Sequence, residues 1–594
     1  MTDPTDPIAR AAALLNRGDA PGARALAEVV LTEGGDGAAL RHLLGVACCQ
    51  SGDLQQGVLH LQRAVQLAPR APGVLIMLMR ALIDIGRPRD ALMLPFGGED
   101  LPRPALLALW RTRAEAAHRA GEDRDEIDAL QKVALLDPAD GQAREMAVPL
   151  LVSMDRCAEA LTYLDAIPLT RPRQRMRATA LTGLRRLDEA IAVDSALLDS
   201  DPQDREAWLS LLMLADRIGD AELLSTMIAA GERENFGANE VNFARALLAK
   251  REGQTEAALA LAEASDVPAD PMRRFGLIAT MADRVGRFDQ AFDAATARAA
   301  ATPGCESWRS RGAAHRAGLE NLLAVMTGEW QARWAAPPIS ACPSPTFLVG
   351  FPRSGTTLLD TFLMGHPGVA VLEEEPMLAA AARILGDQID LERVDTAQIV
   401  EAREAYVAEL DRHRPKDAGN GVMVIDKLPL AMTGAAVIHR LFPDAKIIFA
   451  QRHPADAVLS CFLQSFRLND AMANFLDISD AAQFYDVAMR VWTRTREVLD
   501  LNTFDLVYED LVDDPSHALR PLANWLGLDW NDAVLDHQAT ATARGAIVTP
   551  SYDQVTQPIH RRSVGRWNNY DLQIAPIRSL LDPWAIRLGY GPMR

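Results

Sequence analysis

FLVGFPRSGTTLLD, Phe347 to Asp360, contains a short apolar run, a glycine-bounded loop and the first turn of a helix. Gly350 and Gly355 stand at the two glycine positions of a G-x-x-x-x-G phosphate loop. Thr356, however, occupies the position at which an ATP-binding loop carries its lysine. Glycines in such a loop admit backbone N–H groups to an anion, and a helix from about Thr356 adds its positive end. Ser354, Thr356 and Thr357 supply hydroxyl donors, and Arg353 places a permanent charge inside the loop. With no lysine, and with Asp426 of VMVID running directly into Lys427 rather than standing free to hold Mg²⁺, the loop suits a single 5′-phosphate better than a metal–triphosphate complex.

The surrounding texture is that of an α/β domain. TFLVGF, GVAVL, VMVID, AKIIFA and FDLVYE are short β-type runs separated by helical segments. That alternation predicts a parallel sheet with helices on both faces. Three runs lead into a basic residue: Arg353, Lys427 and Arg452. Ligands of open α/β sheets bind beyond the carboxyl ends of the strands, so the three cations are expected in one crevice. Pro454 is a good first helical residue, which puts Ser460 about two turns into a helix, near enough to Arg452 to share an anion.

Upstream, a helical stretch around Trp308 to Trp334 is followed by AAPPISACPSP, whose prolines 337, 338, 343 and 345 mark a domain boundary. Before it, a glycine or polar turn residue is followed five positions on by a small apolar one. The pairs are Gly18/Ala23, Gly52/Gly57, Gly86/Ala91, Asp155/Ala160, Arg185/Ala190, Gly253/Ala258 and Gly286/Ala291. Gly121 and Gly219 keep the same beat with Glu126 and Leu224. A period of about 34 residues is that of helix–turn–helix repeats of the tetratricopeptide kind. The glycine is expected at the turn between two helices, where a left-handed conformation or close helix approach is needed. Prolines in QLAPRAP, LLDPAD and DSDPQD are expected to end second helices.

The region thus resembles an array of about nine degenerate tetratricopeptide units over residues 5–305, a type that presents a concave surface to an extended peptide or another subunit. The expected fold is α + α/β. An N-terminal all-α tetratricopeptide solenoid (1–305) leads through a helix and Pro-rich linker (306–344) into a P-loop-like α/β domain with a parallel sheet (345–594).

The formal net charge of −19 over 594 residues disfavours nucleic acid and anionic membrane as partners, so an anionic ligand must be held by locally placed cations. Cys48, Cys49, Cys157, Cys305, Cys342 and Cys461 show neither C-x-x-C nor metal-type spacing, as expected of reduced thiols in a cytoplasmic protein. MTDPTDPIAR lacks the basic start and apolar run of a leader, and no apolar run of about 18 residues is present.

FPRSGTTLL resembles the 5′-phosphosulfate loop of sulfotransferases that use 3′-phosphoadenosine 5′-phosphosulfate (PAPS). QRHPADAVLSCF resembles their 3′-phosphate motif, with Arg452 followed eight residues on by Ser460 and His453 where aspartate is more usual. The resemblance covers about residues 345–590. It is closest to tyrosylprotein sulfotransferases and to bacterial sulfotransferases fused to tetratricopeptide repeats.

The resemblance implies PAPS as donor, 3′-phosphoadenosine 5′-phosphate (PAP) as product, and no metal. It implies Glu374 of HPGVAVLEEEP as general base, with Glu373 and Glu375 as alternatives, and Lys427 of DKLPL on the sulfuryl group and bridging oxygen. Arg353, Ser354, Gly355, Thr356, Thr357, Arg452, Ser460 and Tyr508 are implied donor contacts. Ser551 and Arg566 are implied in a closing segment, TPSYDQVTQPIHRRSVGRW, with Arg566 where relatives carry lysine. Crowded glutamates would raise one another's pKa, which suits a base.

The implied activity is sulfuryl transfer to a hydroxyl acceptor, a protein or peptide tyrosine among the candidates, with an inactive repeat scaffold or a degenerate P-loop kinase as alternatives. The array favours a peptide or protein acceptor and is compatible with a homodimer. Lys427→Ala and Glu374→Gln are each expected to abolish transfer with the fold intact.

Overall fold

The computed structural model describes residues 6–95, 101–154, 156–266, 270–334, 344–415, 419, 421–543 and 559–593. Asp155, residues 335–343 of the proline-rich stretch, with Cys342, and Ser551 lie outside them. The chain divides into two compact units, Met1–Leu214 and Ala215–Arg594.

The 34-residue beat becomes helix pairs. The first is Pro7–Asn16 with Ala20–Thr32, and the ninth is Pro271–Arg284 with Phe288–Ala300. Each described turn residue on the beat has a positive φ, from 63° at Arg185 to 85° at Gly52. Asp53, after Gly52, caps the next helix by accepting the Gln56 N–H. The small residue five positions after the turn is where the second helix meets the first. Ala23, Ala91, Ala160, Ala190, Ala258 and Ala291 are all fully buried. A Cβ added at Gly57 would lie 2.3 Å from Cys49 Sγ, so nothing larger than glycine fits without rearrangement. Helices Leu54–Leu67, Asp123–Leu136 and Leu187–Ser200 stop just before Pro69, Pro138 and Pro202, as expected.

In the second unit the five β-type runs form one parallel sheet: β1 (Thr346–Gly350), β2 (Val369–Glu373), β3 (Met423–Lys427), β4 (Lys446–Gln451) and β5 (Asn502–Val507). Their order is β2-β3-β1-β4-β5, which puts β1, buried along its whole length, at the centre. Side chains alternate between faces. Leu348, Ile425 and Ile448 pack with Leu359 and Phe362 of the helix Thr356–Met364 on one face. On the other, Phe347 meets Tyr406 and Phe442, and Phe449 stacks on Trp492 at 4.8 Å. Both faces are thus covered by helices, the usual setting of parallel strands.

The stretch after the last repeat is not a free linker throughout. Helix Cys305–Val325 packs along helix Ile478–Val498, with Arg309 and Arg316 each 3.0 Å from Asp480 and Arg490 paired to Glu320. Among the described residues no helix is long and apolar enough to cross a membrane.

Candidate active site

The parallel register brings five strand ends to one edge of the sheet. Glu373 pairs in register with Lys427, Lys427 with Leu348, Gly350 with Ala450, and Gln451 with Val507. The residues just beyond are the phosphate loop after β1, Glu374 after β2, Arg452 after β4 and Tyr508 after β5. Lys427 itself ends β3.

On the β1–β4–β5 side the basic groups converge. Arg353 has a left-handed backbone (φ 68°) and its Nε donates to Ser460 Oγ at 3.1 Å. Arg452 Nη1 donates to the Arg353 carbonyl at 2.6 Å, so Arg353 joins the two members of the expected anion pair. The helix Pro454–Leu463 starts at the proline, as the sequence indicates, and buries Ser460 in its second turn. The Arg452 guanidinium lies 4.7 Å from the centre of the Tyr508 ring, and its buried Nε has no partner among the described residues. A buried N–H without an acceptor is costly, and an anionic oxygen would satisfy it. Burial, together with the charges of Arg452 and Arg566, pulls the Arg353 guanidinium down to about 10. Such a gathering of cations is electrostatically unfavourable alone and suits a multiply charged anion.

Ser354, Thr356 and Thr357 are buried around the start of the helix Thr356–Met364, whose first turn has no side-chain cap bond from Gly355. The loop glycines answer to neighbours as well as to an anion. A Cβ at Gly355 (φ 86°) would lie 2.3 Å from Tyr508 Cδ2, and one at Gly350 would lie 2.6 Å from the Ala450 carbonyl of β4. Gly350 is therefore set by close strand approach, a reason not apparent from the motif.

On the β2–β3 side, Lys427 is fully buried. Its Nζ lies 2.9 Å from Glu373, 3.1 Å from Glu374 and 3.5 Å from Asp360. Burial pulls the ammonium down, but Asp360, Glu374 and Glu373 together outweigh it and hold it above the ordinary lysine value. The three consecutive glutamates divide between two basic partners. Glu373 and Glu374 share Lys427, while Glu375 pairs with His413 at 3.0 Å. Glu373 is buried, whereas the Glu374 side chain is 44% exposed. Glu374 also takes a left-handed backbone (φ 56°), pinned by its N–H to the Lys427 carbonyl at 2.8 Å. A non-glycine residue held there costs on the order of 1 kcal/mol, a strain that clusters at functional sites. Of the three glutamates, Glu374 is the one both exposed and beside Lys427.

No motif or spacing in the sequence marks Asp360. It sits in the quoted stretch as a carboxylate within the apolar run TTLLDTFL, and in the folded protein it is fully buried.

Asp426, adjacent to Lys427, points away from it and accepts from Tyr406 OH at 2.8 Å. Burial pushes its carboxyl up to about 7, with the Tyr406 bond opposing and Glu375 adding. Because the folded protein keeps this proton more tightly than the unfolded chain, stability falls as pH rises from the ordinary value of 3.8 towards 7. In thermal melts across that range, wild type is expected to lose up to about 1.4 kcal/mol per pH unit relative to Asp426→Asn, and to run level with it above.

Arg566 lies at the start of the short helix Arg566–Tyr570, its Nε and Nη2 both 2.9 Å from Asp283 Oδ1. Among the described residues, no group of three or more His, Cys, Asp or Glu side chains is placed to hold a metal ion.

Residues 345–532 match the family model described as "Sulfotransferase family". That span includes Arg353 through Thr357, Glu374, Lys427, Arg452, Ser460 and Tyr508, and leaves Arg566 outside. An uncharacterized protein of Aquifex aeolicus is 25% identical over 292 residues, 46% of this chain and 36% of that protein. The chain therefore spans about a third of that relative. Protein-tyrosine sulfotransferase 1 of Danio rerio is 27% identical over 267 residues, 41% of this chain and 72% of its own length. Among solved structures, the sulfotransferase domain of the Synechococcus PCC 7002 olefin synthase is 24% identical and covers 42% of this chain and 98% of that domain, at a TM-score of 0.30.

Proposed function

We propose that the sulfotransferase-family domain of this chain moves a sulfuryl group from PAPS to a hydroxyl acceptor, with a tyrosine side chain as the first acceptor to test. The observation that carries the reading is the division of the sheet edge into two adjoining parts. One is an anion seat built from Arg353, Arg452, Ser460 and the loop. The other is an ammonium–carboxylate pair, Lys427 and Glu374, on the neighbouring strands.

In this reading Arg353, the loop N–H groups and Ser354, Thr356 and Thr357 hold the 5′-phosphosulfate. Arg452 and Ser460 hold the 3′-phosphate, with Tyr508 ordering Arg452, and Arg566 closes the donor side. Glu374 takes the proton of the acceptor hydroxyl as its oxygen bonds to sulfur. The S–O bond to the 5′-phosphate breaks, and Lys427 stabilises the charge left on that oxygen. Work of this kind is positioning and charge stabilisation, which a buried ammonium and fixed N–H groups supply. The repeat array is the proposed holder of an extended peptide carrying the acceptor. The relatives named as protein-tyrosine sulfotransferases make tyrosine the first choice.

The deciding experiment is calorimetric titration of the whole chain with PAP in EDTA, followed by transfer of labelled sulfate from PAPS to a tyrosine peptide. PAP binding that survives EDTA is expected. No binding of PAP, or binding only of ATP with Mg²⁺, overturns the reading.

A further inference from the structure

Resting on that donor-site reading, we propose that Asp283, in the last helix pair of the array, is a positioning residue for donor binding. By holding Arg566, it makes the terminal repeat a working part of the nucleotide site.

Asp283 lies in the last turn of the repeat helix Pro271–Arg284. Its Oδ1 accepts from Arg566 Nε and Nη2, both at 2.9 Å, and from Tyr570 OH at 2.6 Å. The two charged side chains are only 19% and 18% exposed, so solvent screens this pair less than an ordinary surface pair. Phe288, on the other helix of the same repeat, packs edge-on against Tyr570 at 5.3 Å.

From Arg566 the connection runs directly into the anion seat. The N–H groups flanking it, Gly565 and Trp567, both donate to Asp456 of the Ser460 helix, at 2.7 and 2.9 Å. Trp567 stacks on His453 at 5.1 Å, and the Ser563 carbonyl accepts from Arg452. The segment 563–570 is thus fastened on one side to the Arg452–Ser460 motif and on the other to the repeat.

The same repeat also holds the far end of that motif. Arg298 of the helix Phe288–Ala300 is buried and donates to the Phe462 and Leu463 carbonyls, the last two of the Ser460 helix. A cation there satisfies end carbonyls and complements the helix dipole.

Two effects of Asp283 oppose each other. Its negative charge disfavours an anion nearby, whereas its bonds fix a long, rotamer-rich arginine in one place before the donor arrives. Fixed geometry within the shielded pair outweighs a carboxylate charge already neutralised by Arg566. Removing Asp283 therefore weakens PAP binding; a purely electrostatic role would strengthen it.

The test is PAP titration of wild type, Asp283→Ala, Asp283→Glu and Asp289→Ala in the full chain, with donor kinetics and melting temperature on each. Asp283→Ala is expected to lose about tenfold in PAP affinity, as for loss of a charged hydrogen-bond partner. Its KM for PAPS should rise in parallel, with kcat at saturating donor little changed. Asp283→Glu should recover part of the loss. Asp289→Ala, which removes a first-turn carboxylate and its bond to Gln573 at the same junction but no bond to Arg566, should bind as wild type. On an Arg566→Ala background the Asp283 effect should vanish. If Asp283→Ala melts far below wild type, the titration of Asp283→Asn decides instead. Unchanged or tighter PAP binding in the folded variant overturns the proposal alone, whereas a wild type that binds no PAP removes the donor-site reading with it.

Discussion

Lys427→Met is expected to abolish transfer and also to destabilise the domain, so that the two losses must be measured separately. The sequence alone suggested that Lys427 could be replaced with the fold intact; the structure corrects this. The ammonium is fully buried among Asp360, Glu373 and Glu374, and two of those carboxylates are themselves buried. Without it they repel one another in a low-dielectric setting, at a cost of about 3–5 kcal/mol at neutral pH.

The sign of the pH dependence follows. In the variant the stranded carboxyls have raised pKa values, the folded state takes up protons, and the stability deficit shrinks as pH falls. Melting the variant and wild type at neutral and mildly acidic pH checks this. A second replacement, Glu373→Gln, should return part of the stability. Transfer should stay about 10³-fold down, the scale of losing a preorganised charge at the reacting atoms. Recovery of transfer along with stability would show that Lys427 is structural only.

Glu374→Gln is expected to behave in the opposite way, keeping the fold and losing the reaction. Its side chain is 44% exposed, and an amide can still accept from Lys427. Loss of a general base lowers kcat by about 10²–10⁴-fold. PAP affinity should be nearly unchanged, since the anion seat lies on the other strands. Glu373→Gln should instead act through Lys427, lowering stability, and Glu375→Gln, whose group faces His413, should leave kcat near wild type. Single-turnover transfer with saturating donor, run beside PAP titration, separates the three. A wild-type kcat in Glu374→Gln would move the base elsewhere.

Much of this architecture was legible in the chain because it is governed by short periods. The turn residues at 18, 52, 86, 121, 185, 219, 253 and 286 all take left-handed backbones, and five short β-type runs became five parallel strands. Both are local consequences: a helix hairpin needs a left-handed turn and a small contact residue, and a strand buried on both faces needs a continuous apolar run. The loop, the Arg452–Ser460 spacing and the start of its helix at Pro454 were equally visible, since each lies within one strand–turn–helix unit.

What the sequence could not specify are pairings across long stretches of chain. Lys427 meets its glutamates 53 and 54 residues away, and Arg566 meets Asp283 across 283 residues. No local period records such partners; they exist only because parallel register aligns the ends of β2 and β3, and because the last repeat packs against the domain that follows it. The sequence by itself determined the repeat, the sheet and the lysine-free loop. Tertiary structure alone decided that Glu374 is the exposed glutamate beside Lys427, that Asp360 is buried beneath it, and that Arg566 is held by a repeat helix, because burial and charge pairing are properties of packed surfaces rather than of neighbouring residues.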